Sequence, residues 1–157
     1  MKAMRWIGLA LCALMLAGCA SGPVRRVSEP SARVQQLTVG ADGSWSTELR
    51  IENFSSIPMR FDALKLTLSI GDNSAGTLAA QPALSIGPES ADVVTVALQP
   101  QAAAKLAVAV ALAGGRSVDY TLKGTLDATP DEGKRRSFKF DRTSALSPAP
   151  GLPGVLR

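Results

Sequence analysis

Two thiols, a few clustered carboxylates, a run of cations near the C-terminus and no histidine are the groups with which this 157-residue chain could do chemistry. Thiol chemistry proceeds through the thiolate, the nucleophile that forms thioethers and disulfides. Cys12 lies inside an apolar run and reads as an apolar filler, which leaves Cys19 as the thiol open to covalent modification. Without imidazole there are no histidine-assisted serine or cysteine nucleophiles, no usual zinc sites and no common general base near neutral pH. Asp127, Asp131 and Glu132 surround Pro130, where paired carboxylates could serve as acid and base or bind calcium. Their spacing lacks the regular loop of a calcium hand, and turns between strands attract such residues anyway. Lys134, Arg135, Arg136, Lys139 and Arg142 could meet phosphate headgroups or another anionic surface. A charged edge strand that resists pairing with other sheets has the same signature and is the favoured reading. No catalytic residue, metal or cofactor is expected.

Cys19 is positioned by what precedes it. Lys2 and Arg5 give a positive start, residues 6–16 are uncharged and apolar, and Leu16-Ala17-Gly18 lead into the cysteine. The run is a signal-peptide core, too short to cross a hydrocarbon layer that takes about 20 apolar residues. Leu16-Ala17-Gly18-Cys19 resembles the lipobox of bacterial lipoproteins. The resemblance implies that signal peptidase recognises Leu16, Ala17 and Gly18, cuts after Gly18, and leaves Cys19 carrying a diacylglycerol and usually an acylated amine, palmitate among the chains. Two or three chains, at about 0.8 kcal/mol per buried methylene, hold a protein durably to a bilayer. Ala20 stands where, in many such proteins, an aspartate retains them in the inner membrane. The expected address is therefore the cell envelope, on the periplasmic face of the outer membrane.

Loss of residues 1–18 takes away two basic residues and lowers the formal charge from +4 to about +2. That balance, few aromatics for stacking and an extracytoplasmic address argue against nucleic acid. With Cys19 acylated and Cys12 removed, no internal disulfide can form, so the core alone must hold the fold.

Residues 1–18 read as the lipoprotein signal peptide, 19–31 as the lipidated cysteine and a flexible tether, 32–145 as one domain, and 146–157 as a disordered proline-rich tail. Period two dominates the domain. Trp45, Thr47, Leu49 and Ile51 alternate with polar residues, and Leu64 to Ile70, Val94 to Leu98, Val118 to Leu126 and Phe138 to Phe140 do the same. Turn chemistry falls at Ser55-Ser56-Ile57-Pro58, Gly71-Asp72-Asn73, Gly87-Pro88 and Gly114-Gly115. Alanine suits residues 102–113 to a helix, but Leu106, Val108, Val110 and Leu112 alternate strictly, which favours a strand. The pattern predicts an all-β fold, an antiparallel immunoglobulin- or fibronectin III-like sandwich of about seven strands.

Three stretches carry a second resemblance. Leu49-Arg50-Ile51-Glu52-Asn53-Phe54-Ser55-Ser56-Ile57-Pro58-Met59, then Gly76 through Ser85-Ile86-Gly87-Pro88 to Val96, and finally Tyr120-Thr121-Leu122-Lys123-Gly124-Thr125-Leu126 with Phe138-Lys139-Phe140, are similar to the late embryogenesis abundant group 2 family, or WHy domain. The likeness spans residues 32–142, with Phe54-Ser55 standing where members often have proline and asparagine. It implies a sandwich without catalytic residues, associated with tolerance of drying. Asn53, whose side chain can bond nearby backbone, is assigned to structure. The functional expectation is a non-enzymatic, membrane-anchored envelope lipoprotein of the water-stress type, acting by binding or shielding. The alternative is a lipid carrier or protein-assembly module of an envelope complex, holding an apolar ligand or envelope protein.

Overall fold

The computed structural model describes residues 25–157, so the signal peptide, Leu16, Ala17, Gly18 and Cys19 lie outside the described residues. Among them run nine strands and one helix: β1 (Ser31–Val39), β2 (Trp45–Asn53), β3 (Met59–Ile70), β4 (Asn73–Ala80), β5 (Leu84–Ile86), β6 (Ser90–Leu98), α1 (Ala102–Gly114), β7 (Val118–Pro130), β8 (Arg136–Leu146) and β9 (Val155–Leu156). They form two sheets, ordered β6-β2-β1-β9 and β4-β3-β7-β8, with β5 added to β3. Every pairing is antiparallel. The sheets face each other as an all-β sandwich.

Alternation decides which side of each strand is buried. β2 sends Trp45, Thr47, Leu49, Ile51 and Asn53 inward, and β7 sends Tyr120, Leu122, Leu126 and Ala128. In β3 the inward set changes phase, from Met59 and Phe61 to Leu64, Leu66, Leu68 and Ile70, because the register with β7 shifts between Phe61 and Ala63. A bulge adds one residue and restores the apolar face to the core. β1 does the same, from Ala32 and Val34 to Leu37, with its shift between Val34 and Gln36. Gly124 faces Leu66 across β3 and β7, and a Cβ there would run into the Lys65 carbonyl oxygen. Only glycine lets the two backbones approach so closely.

Three segments differ from the sequence reading. Ala102–Gly114 is a helix, not a strand: alanine is the best helix former, and a 3.6-residue period buries Ala104, Val108 and Ala111 on one face. The alternating Leu106 and Val110 point outward, 66% and 48% exposed. Gly114-Gly115 is accordingly no hairpin turn. Gly115, at φ 60°, ends the helix in the left-handed conformation, and the Gly115 and Arg116 amides bond the Leu112 and Ala111 carbonyls.

The proline-rich C-terminus is not a loose tail. Gly151 and Gly154, at φ 74° and 75°, fold it back so that Val155 and Leu156 pair with β1 and bury there. Reciprocal bonds between Ser147 and Arg157 then tie this strand to the end of β8. The tether, too, is shorter than expected. Residues 25–30 dock on the turns, and Ser31 already belongs to β1.

Candidate functional site

The long strands divide the molecule into two ends. One carries the β1–β2 hairpin, the β3–β4 turn and α1, whose entry is fixed by a bond from the Gln101 amide to the Ala75 carbonyl. The other gathers the β2–β3, β5–β6 and β7–β8 turns with residues 25–30. There the Asp131 amide bonds the Pro58 carbonyl at 2.9 Å and the Glu89 amide bonds the Ser55 carbonyl at 3.1 Å.

Asn53 holds this second end together. Its buried side-chain amide donates to the carbonyls of Ile57, Ile86 and Gly87 at 2.9, 3.2 and 2.9 Å, while its oxygen accepts from the Ser55 amide at 2.9 Å. One carboxamide thus joins the β2–β3 turn to the segment leading into β6. Ser55 extends the network, its hydroxyl accepting from the Ser28 amide at 3.0 Å. The Arg26 amide bonds the Ser56 hydroxyl at 2.8 Å, and the Ser56 amide bonds the Arg26 carbonyl at 3.0 Å. Arg25 pairs with Glu132 and Arg26 with Glu89. The start of the described chain is fastened here by backbone and side chain together. Phe54 projects from the same turn, 48% exposed. Beside it lies an open groove of about 310 Å³ bordered by Arg26, Arg50, Glu52 and Glu89, cations and anions in equal number.

The basic residues singled out from sequence do not form one patch. Lys134 and Arg135 sit in the β7–β8 turn at this end. β8 is an edge strand, and its alternation puts Arg136 and Arg142 on one side of the sheet and Lys139 on the other. Two of the five are engaged elsewhere: Arg135 pairs with Asp127 at 2.7 Å, and Arg142 donates to the Ser31 hydroxyl at 2.7 Å, linking the edge of one sheet to the other. The carboxylates around Pro130 are divided likewise, Asp127 to Arg135 and Glu132 to Arg25. Among the described residues no three metal-ligating side chains converge.

Three carboxyl groups titrate below their ordinary range. Asp42 is lowered chiefly by the Ser44 hydroxyl and amide, Asp62 by the Thr129 hydroxyl and then Arg60, and Asp127 by Ser137 and then Arg135. In each the charged form is held by local hydrogen bonds and, for Asp62 and Asp127, by a neighbouring arginine, which is a structural arrangement.

Sequence reasoning missed Tyr120 and Thr47. The Tyr120 hydroxyl crosses the sandwich to accept from the Val34 amide at 3.1 Å, beside the β1 bulge. The Thr47 hydroxyl is buried with no partner among the described residues. An apolar depression of about 220 Å³ lies at the helix end between Val39, Gly43 and Trp45 of the hairpin region and Lys105, Val108 and Leu112 of α1. Leu106, Val110 and Leu152 are exposed at that end as well.

A family model described as late embryogenesis abundant protein matches residues 48–143, leaving β1 and β9 outside the matched stretch. No curated protein matches the chain. Among solved structures, a protein described as late embryogenesis abundant is 15% identical, with 98% of this chain and 86% of that one covered and a TM-score of 0.47. A protein from Arabidopsis thaliana is 13% identical, with 80% and 81% covered and a TM-score of 0.44. One from Archaeoglobus fulgidus is 13% identical, with 79% and 98% covered and a TM-score of 0.44.

Proposed function

The chain belongs to the late embryogenesis abundant family, which is not an enzyme family, and from that premise we propose that it is a lipid-anchored envelope protein that protects against water loss by binding or shielding surfaces. The lipobox-like Leu16-Ala17-Gly18-Cys19 is the observation that carries the anchor. Cleavage before Cys19 and acylation of its thiol and amine attach the domain to the membrane, and Ala20 directs it to the periplasmic face of the outer membrane.

The binding role is supported by what the polar side chains are doing. Asn53, Ser55, Tyr120 and Arg142 are spent on joining turns and sheets. Acid-base chemistry near neutral pH has no histidine to use. A strain lacking the gene is expected to survive drying and osmotic shock less well than its parent, and equal survival across both regimes would count heavily against the protective role.

A second reading, an assembly module for a protein partner or a carrier of an apolar ligand, is favoured by the exposed Leu106, Val110 and Leu152 at the helix end. Crosslinking in cells from position 106 would trap a partner on that reading. Native mass spectrometry would find a co-purifying lipid if the depression beside Trp45 holds one.

A further inference from the structure

We infer that the end of the sandwich bearing Phe54 lies against the phospholipid surface that holds the anchor, with Phe54 seated at the headgroup boundary as a second, apolar contact. The inference rests on the proposed acylation of Cys19 and adds an orientation to it.

Chain length and exit point carry the argument. Only residues 20–24 separate Cys19 from Arg25, so the anchor lies at most about 20 Å from Arg25 even when fully extended. The exit is fixed, because Arg26 and Ser28 are bonded to Ser56 and Ser55 and Arg25 to Glu132. β2 runs nine residues from Trp45 at the helix end to Asn53 at the exit, about 27 Å at the rise of an extended strand. A tether of that length, leaving from that point, cannot let the molecule stand on its helix end.

Phe54 selects end-on contact over lying flat. Among the described residues it is the large apolar side chain exposed at the exit end, whereas Leu106, Val110 and Leu152 all lie at the opposite end. An aromatic ring at this height is stabilised in the boundary between headgroups and acyl chains. The charges flanking it are balanced and paired within the protein, Arg26 with Glu89 and Arg50 with Glu52, so the groove carries no net charge. Contact therefore does not require anionic lipid.

Tryptophan quenching reads this directly. The mature chain has one tryptophan, Trp45, buried at the helix end, which serves as the internal control. Lipidated wild type, Phe54→Trp and Leu106→Trp would be reconstituted into vesicles of phosphatidylcholine with brominated acyl chains. Both substitutions are at exposed positions and leave the core intact. Emission from Phe54→Trp is expected to fall about twofold, with wild type and Leu106→Trp little changed. Quenching of Leu106→Trp instead, or none at Phe54→Trp in protein whose mass shows acylated Cys19, would overturn the orientation while leaving the anchor standing. Quenching that appears only when phosphatidylglycerol is added would overturn the apolar contact and assign it to Lys134 and Arg136. An unmodified Cys19 would remove the anchor and the orientation together.

Discussion

Asn53 is the residue on which the exit end most depends, and its chemistry fixes what each replacement should do. Three backbone carbonyls converge on its amide nitrogen, an environment that fits a donor and repels an anion. Asn53→Ala is expected to cost about 2–4 kcal/mol in denaturant unfolding, since buried acceptors lose their donor. Asn53→Asp should cost more at neutral pH. A carboxylate held among carbonyl oxygens titrates above its ordinary value, so its deficit relative to wild type grows as pH rises through the carboxylate range and shrinks in acid. A constant deficit from pH 4 to pH 8 would contradict this geometry. Tyr120→Phe should cost about 1–3 kcal/mol by leaving the Val34 amide unbonded, while Thr47→Val, which removes an unbonded hydroxyl, should be neutral or stabilising by up to about 1 kcal/mol. Wild-type stability has its own pH profile. Asp42, Asp62 and Asp127, with lowered values, contribute stability that is present above the ordinary carboxylate range and lost as pH falls through their folded values. With no histidine, the thermal midpoint should stay nearly level from about pH 6 to 8 and drop below about pH 4.

At the scale of elements, α1 separates two readings of the same apolar residues. Alternation of Leu106, Val108, Val110 and Leu112 suits a strand as well as a helix until neighbours decide, and the packing buries only Val108 fully. Val108→Ala is therefore expected to cost roughly 2 kcal/mol in unfolding, whereas Leu106→Lys should change stability by less than about 0.5 kcal/mol. Equal costs would mean that the helix presents a different face. The strands with clear alternation, β2 and most of β3 and β7, were legible for a simple reason: one face is wet and the other dry. β1 was not, because the bulge between Val34 and Gln36 breaks the period that marks a strand. β9 was hidden differently. Two apolar residues after a proline-glycine stretch carry no periodicity, and their burial depends on the distant edge of β1. Among the candidate sites, the basic residues could be found by charge alone, but their division between the faces of β8 and the Asp127 and Ser31 partners follows from pairings that only the fold creates.

At the scale of the whole molecule, a sandwich of the late embryogenesis abundant family is joined at one end by Asn53 and its neighbours and covered at the other by α1. The described chain enters at the joined end, six residues after Cys19, so exit and Phe54 fall on one side, where the proposed anchor would lie, while the exposed helix face falls on the other. On the proposed function, the protein stands on the membrane and offers its far end to the compartment. Intact mass spectrometry of the protein extracted from its native membrane tests this most directly. A chain beginning at Cys19 and carrying two or three acyl groups is expected. A chain that keeps residues 1–18, or begins elsewhere with an unmodified Cys19, would contradict it.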